Sequence, residues 1–253
     1  MINSPNITAT PLGPTHPRLR NTWVLGRHEA ALLGCAYLLF AVAWSALGWL
    51  LTRRLSDTWL LHLDRSIATW LVDQRTPTLD SLSFIGSMMA DTVVKVVVTG
   101  IVAIAMLVHW GRWLEPLMVV VPLVLEAMSF ITITFIVDRP RPDVLRLDSS
   151  PVGSSFPSGH VAAAAAYSAI AVVIFWRTRS RWVRYTAVAA AALLPIFVSL
   201  ARMYRGMHYV TDVIMGALLG GVSVLVTALV LRHAADQRPQ YHEPDDTMNL
   251  TTP

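Results

Sequence analysis

Six long apolar segments decide what this chain can fold into. They run from Glu29 to Thr52, from about Asp91 to Trp110, from about Leu114 to Val137, from Gly159 to Trp176, from Trp182 to Leu200 and from Tyr209 to Leu231. A helix needs roughly 20 apolar residues to cross a hydrocarbon layer of about 30 Å, and each segment comes close to or exceeds that length. With 54% hydrophobic and 14% charged residues, the composition is that of a membrane protein. At 253 residues one domain is expected. The predicted fold is therefore all-α, a six-span transmembrane helical bundle occupying residues 29–232. Residues 1–28 read as a loose cytoplasmic polar tail without the order of a signal peptide, and residues 233–253 as a flexible cytoplasmic tail. Pro122 is expected to kink span three. Alanines 162–166 in span four and Gly216, Gly220 and Gly221 in span six allow those helices to approach closely. The single cysteine, Cys35, excludes an intramolecular disulfide.

Between spans one and two, the stretch Asp57 to Arg75 places Trp59, Leu63, Ile67, Trp70 and Leu71 at helical spacing among charged residues. That pattern predicts an external amphipathic helix, lying either at the headgroup level or on the protein's own rim. The connection between spans four and five carries Arg177, Arg179, Arg181 and Arg184 with no acid. Basic loops stay inside, so this one is expected in the cytoplasm, and six crossings then put both termini there too. The loops after spans three and five fall outside.

Those two outer loops hold the chain's densest polar chemistry. Asp138 to Asp143 reads DRPRPD, in which each proline keeps the preceding arginine extended. Phe156 to His160 reads FPSGH at the start of span four. Ser158 suits an N-cap, Gly159 lets backbone approach a ligand, and the helix N-terminus favours an anion beside His160. Ser199 to Asp212 reads SLARMYRGMHYVTD. Gly206 is a place to end one helix. His208 and Asp212 are spaced four apart, as on the first turn of the next helix, where the carboxylate can fix the imidazole tautomer. Taken alone, this last run also fits a short interfacial loop with its charges in water. Together the three segments offer arginines for phosphate oxygens, an imidazole to move a proton and a nucleophile. A metal triad of His160, His208 and Asp212 is disfavoured by the surrounding arginines, which repel a cation.

These segments resemble the motifs of the type-2 phosphatidic acid phosphatase (PAP2) superfamily, K-x6-R-P, P-S-G-H and S-R-x5-H-x3-D. Here they are Thr134 to Pro142 (TFIVDRPRP), Pro157 to His160 (PSGH) and Ala201 to Asp212 (ARMYRGMHYVTD). The resemblance implies a lipid phosphatase that needs no metal or other cofactor. In it, His208 attacks phosphorus and forms a phosphohistidine, and Asp212 orients it. His160 protonates the leaving oxygen and then activates water. Arg141, Arg202, Ser158 and the amides of Gly159 and His160 hold the phosphoryl oxygens. The implied partner is a lipid phosphate or pyrophosphate, such as a polyprenyl carrier, at the outer face of the plasma membrane, with no nucleic acid involved. The same residues would serve transfer to an acceptor other than water.

Two positions depart from the motifs. Thr134 stands where the family has lysine, and Ala201 where it has serine. Arg139, five residues after Thr134 in the same segment, is expected to make good most of the lost charge. Otherwise Arg139 and Arg205 suit a second phosphate or a lipid headgroup. Lys95, the chain's only lysine, is expected to snorkel to the headgroups from the outer end of span two. Glu126, midway along span three, is either a paired structural carboxyl or functional. These departures leave a rival of another class, a transporter or binding protein with a degenerate site.

Overall fold

In the computed structural model, residues 25–236 apart from Pro151 are described. The two expected tails lie almost wholly outside that range. The described chain is all helical: α1 (Arg27–Trp49), α2 (Trp59–Asp73), α3 (Pro77–Met88), α4 (Thr92–Trp110), α5 (Leu114–Val137), α6 (Gly159–Ala166), α7 (Ser168–Arg177), α8 (Arg181–Tyr204) and α9 (Val210–Asp236). Among the described residues six spans are long and apolar enough to cross a membrane, with α6 and α7 together forming the fourth.

Several boundaries differ from expectation for identifiable reasons. A π-helical turn, Leu50–Arg54, carries α1 past its predicted end. The fourth span breaks its hydrogen-bond ladder at Tyr167, whose N–H still bonds the Ala163 carbonyl. Pro122 lies within α5 without ending it. A second short helix, α3, follows the expected amphipathic one. Thr76 caps it by accepting from the Leu79 N–H at 3.3 Å, and Pro77 occupies its first turn. It is too polar to stand out as apolar sequence.

The alanine run of α6 is buried and packs on α9, with α5 and α8 around this pair, α4 outside α5 and α3 against α8. Gly216 faces the carbonyl of Ser158, and Gly220 faces that of Ala162. This contact draws the start of α6 against α9. On α2, Leu61, Asp64 and Ala68 turn inward, while Trp59, Leu63 and Trp70 stay exposed. The helix rests on α8 and α9 without using its tryptophans to do so. Alternation of the spans brings the end of α5, the start of α6, the end of α8 and the start of α9 to one end of the bundle, opposite Arg177 to Arg184. At that opposite end, buried Glu115 pairs with Arg177.

A methyl at Gly220 meets a carbonyl and the Ala165 side chain, whereas one at Gly221 meets nothing within 4 Å. Gly220→Ala should therefore lower the thermal midpoint in detergent. Gly221→Ala should leave it unchanged or raise it, by up to about 1 kcal/mol of helix propensity. Equal effects would contradict the close α6–α9 contact.

Candidate active site

A cavity of about 440 Å³ opens at that end of the bundle. His160, His208, Arg141, Arg202 and Gly159 line it, joined by Lys95, Asp91 and Asp148, and Phe84, Met88, Phe130 and Ile131 form an apolar wall. Segments from Phe84 to His208 thus converge on one space.

Helix α8 runs to Tyr204, beyond the predicted Leu200, so Arg202 is helical and buried. Gly206, at φ 73°, then turns the chain back, a conformation that costs glycine little. Helix α9 begins only at Val210, so His208 precedes it rather than sitting on its first turn. Asp212 accepts from the Tyr209 N–H at 2.9 Å, which secures the start of α9. The His208 Nδ1 lies 3.9 Å from Asp212 Oδ2, beyond hydrogen-bond reach, and 2.7 Å from the Ser155 carbonyl. A carbonyl only accepts, so Nδ1 carries the proton and Nε2 keeps its lone pair. The tautomer expected from Asp212 is thus enforced by a backbone carbonyl. Burial, and then the charges of Arg202 and Arg141, push the His208 imidazole well below its ordinary pKa of 6.5.

Arg141 reaches the Met207 carbonyl at 2.7 Å, Ser150 Oγ at 2.8 Å and the Ser154 carbonyl at 3.0 Å, knitting the α5–α6 loop to the His208 turn. Burial lowers its pKa. Arg202 donates to Ser87 Oγ at 2.5 Å and Asp148 Oδ2 at 2.6 Å. Among the described residues the Nε atoms of both arginines have no partner, nor has the Ser158 hydroxyl. Ser158 stands at the N-cap of α6 without capping it. All three donors are therefore uncommitted.

Other expected residues fall elsewhere. Thr134 is buried, its hydroxyl has no partner among the described residues, and it is not among the residues lining the cavity. Arg139, expected to replace the motif lysine, also lies outside the cavity lining. Its guanidinium is held behind His208, donating to Asp212 Oδ1 at 2.5 Å, Thr211 Oγ1 at 2.8 Å and Asp64 Oδ2 at 3.1 Å. Arg205 is buried too, not at a headgroup. It clamps Asp148 through Nε at 2.8 Å and a terminal nitrogen at 2.6 Å, and donates to Ser83 Oγ at 3.1 Å. Lys95 does not snorkel; its Nζ pairs with buried Glu126 Oε1 at 3.0 Å.

Two carboxylates that organise the arginines went unnoticed in the sequence. Burial opposes the charge of Asp148, but Arg205 and Arg202 outweigh it and hold its pKa below the ordinary value. Asp64 had a signal: it shares a helical face with Leu61 and Ala68 rather than with the other charges of α2. Among the described residues no group of three His, Cys, Asp or Glu side chains is placed to hold a metal ion.

A helical membrane bundle with an arginine- and histidine-lined cavity at one end is the class these features define. The PAP2 superfamily model matches residues 116–235, which include all three motif segments. The fold is similar to a transmembrane PAP2-type phosphatidylglycerolphosphate phosphatase from Bacillus subtilis, at 20% identity over 84% of this chain and 99% of that one, with a TM-score of 0.64. It is also similar to Aquifex aeolicus LpxE, at 21% identity over 67% of this chain and 94% of the other, with a TM-score of 0.50. No curated protein matches the sequence. The chain has the membrane-associated phosphatase fold of the PAP2 superfamily.

The lowered His208 pKa has a consequence for stability. Below pH 6.5 the unfolded chain protonates this imidazole while the folded chain does not, so stability present above 6.5 is lost as pH falls toward the folded value. Between about pH 7.5 and pH 5.5, the wild-type thermal midpoint should therefore fall further than that of His208→Gln. Parallel falls would contradict a neutral buried imidazole.

Proposed function

We propose that the protein hydrolyses a lipid phosphate or polyprenyl pyrophosphate at the outer face of the plasma membrane, through a phosphohistidine at His208. The observation that carries this is the Ser155 carbonyl on Nδ1, which leaves Nε2 as the nucleophilic atom of a residue lining a cationic cavity. The Nε2 lone pair attacks phosphorus as the bond to the lipid-side oxygen breaks, and His160 gives that oxygen a proton. Neutral His160 then takes a proton from water. The water oxygen attacks phosphorus, the P–N bond breaks, and phosphate leaves with His208 neutral again. Arg141, Arg202, Ser158 and the amides of Gly159 and His160 stabilise the phosphoryl oxygens. Asp212 fixes the His208 turn and places a negative charge near the ring when it becomes cationic. No step calls for a metal.

The wall of Phe84, Met88, Phe130 and Ile131 supports a substrate that keeps its tail in the bilayer. The arginine loop at the opposite end of the bundle supports an outward-facing site. The fold is shared with a phosphatidylglycerolphosphate phosphatase, which favours hydrolysis over the transport reading.

Lys95, rather than Arg139, is the cation that replaces the missing motif lysine. It lines the cavity, whereas Arg139 is committed to two buried carboxylates. Glu126 keeps the ammonium from swinging to the headgroups.

Purified protein in detergent, offered lipid mono- and diphosphates, should release phosphate with and without chelator, and His208→Ala should release none. Lys95→Met should lower kcat/KM about ten- to a hundredfold, the worth of one charge-assisted contact. Wild-type protein that releases no phosphate would favour the transport or binding reading. A Lys95→Met effect within about twofold, below the worth of such a contact, would show a pocket that works without a replacement charge.

A further inference from the structure

The least expected polar cluster lies behind the cavity. Asp64, on external helix α2, is 2% exposed. Its Oδ1 accepts from the Thr211 N–H at 3.2 Å, and its Oδ2 from the Thr211 hydroxyl at 2.5 Å and Arg139 at 3.1 Å. The Thr211 hydroxyl has one proton and gives it to Asp64, so it accepts from Arg139 at 2.8 Å. The other contact of that same Arg139 nitrogen is Asp212 Oδ1 at 2.5 Å. The guanidinium lies over the Tyr209 ring at 4.7 Å. One arginine is thus shared between two buried carboxylates, one from α2 and one four residues after His208.

Two carboxylates and one guanidinium leave this cluster one negative charge in excess. Were Arg139 paired with Asp212 alone, it would cancel the charge nearest the imidazole and would be free to turn about that single contact. Asp64 prevents both by anchoring the fork from the far side. Asp64 precedes residue 116, where the family match begins, so no motif assigns it a part.

We infer that Asp64 is a positioning residue for the reaction: through Arg139 and Thr211 it holds the Asp212 carboxylate, and with it the His208 turn, in the geometry for phosphoryl transfer. The inference rests on the hydrolytic reading above. It is distinct from α2 simply being stapled to the bundle, because a staple would affect stability and not the chemical step.

The test is steady-state turnover of a lipid phosphate by full-length wild type, Asp64→Asn, Arg139→Gln and the double variant, with thermal midpoints measured alongside. Asp64→Asn keeps the shape but places an amide N–H₂ against donors. It should lower kcat about tenfold or more, as loss of an outer-shell partner does, with KM changed by less than about twofold. In the Arg139→Gln background the same change should cost little further, since it acts through Arg139. Leu61→Ala, on the same buried face of α2 but outside the network, controls for docking: it should lower the midpoint and leave kcat near wild type. Unchanged kcat in Asp64→Asn, a loss confined to KM, losses that multiply in the double variant, or an equal kcat loss in Leu61→Ala would each overturn the inference. Inactive wild type would instead defeat the hydrolytic reading itself.

Discussion

A guanidinium is tolerated at the end of an apolar bundle only where its charge is paired or its donors are hydrogen-bonded, and this structure is arranged around four such groups. Arg139, Arg202 and Arg205 are buried and Arg141 is half-buried. An unpaired charge there would cost several kcal/mol. Three carboxylates meet most of the demand: Asp148 takes Arg202 and Arg205, and Asp64 shares Arg139 with Asp212. Arg141 spends its terminal nitrogens on backbone carbonyls and Ser150 instead. These pairings fix the conformation of the α5–α6 loop and the α8–α9 turn and tie α2 and α3 to the bundle. The Nε atoms of Arg141 and Arg202, two residues that line the cavity, remain without a partner among the described residues.

Close packing of small residues then sets the site's depth. With Gly216 against the Ser158 carbonyl and Gly220 against that of Ala162, the first turn of α6 is pressed to α9, and the Ser158 N–H reaches the Asp212 carbonyl at 3.0 Å. Gly159 itself admits the Phe130 ring, which a methyl there would meet at 2.9 Å. His160 and His208 therefore share one cavity because two glycines and an alanine run leave no room for them to separate.

Much of this was legible in the sequence. The spans follow from length and apolarity, the turn at Gly206 from a glycine between helical patterns, and the convergence of the motif segments from counting crossings. The misses share one cause: a sequence shows a charged residue but not where its partner will come from. Within its own DRPRPD segment Arg139 looked available, yet Asp64 reaches it from 75 residues upstream. Lys95 looked like a snorkelling lysine because Glu126 lies on another span. The Ser155 carbonyl on His208 was beyond sequence reading altogether, since a backbone acceptor leaves no mark in residue identity. The helix α3 was missed because its start signal, Thr76 with Pro77, is local and its composition is not strongly apolar.

In the proposed reaction His208 attacks through Nε2 because Nδ1 is held by the Ser155 carbonyl. Rapid acid-free quenching of turnover on a phosphate-labelled lipid, followed by base digestion and separation of the phosphohistidine isomers, measures this directly. Base-stable, acid-labile label on the Nε2 isomer of His208 alone is the expected result. Label on the Nδ1 isomer, on His160, or on no histidine while phosphate is being released would contradict it.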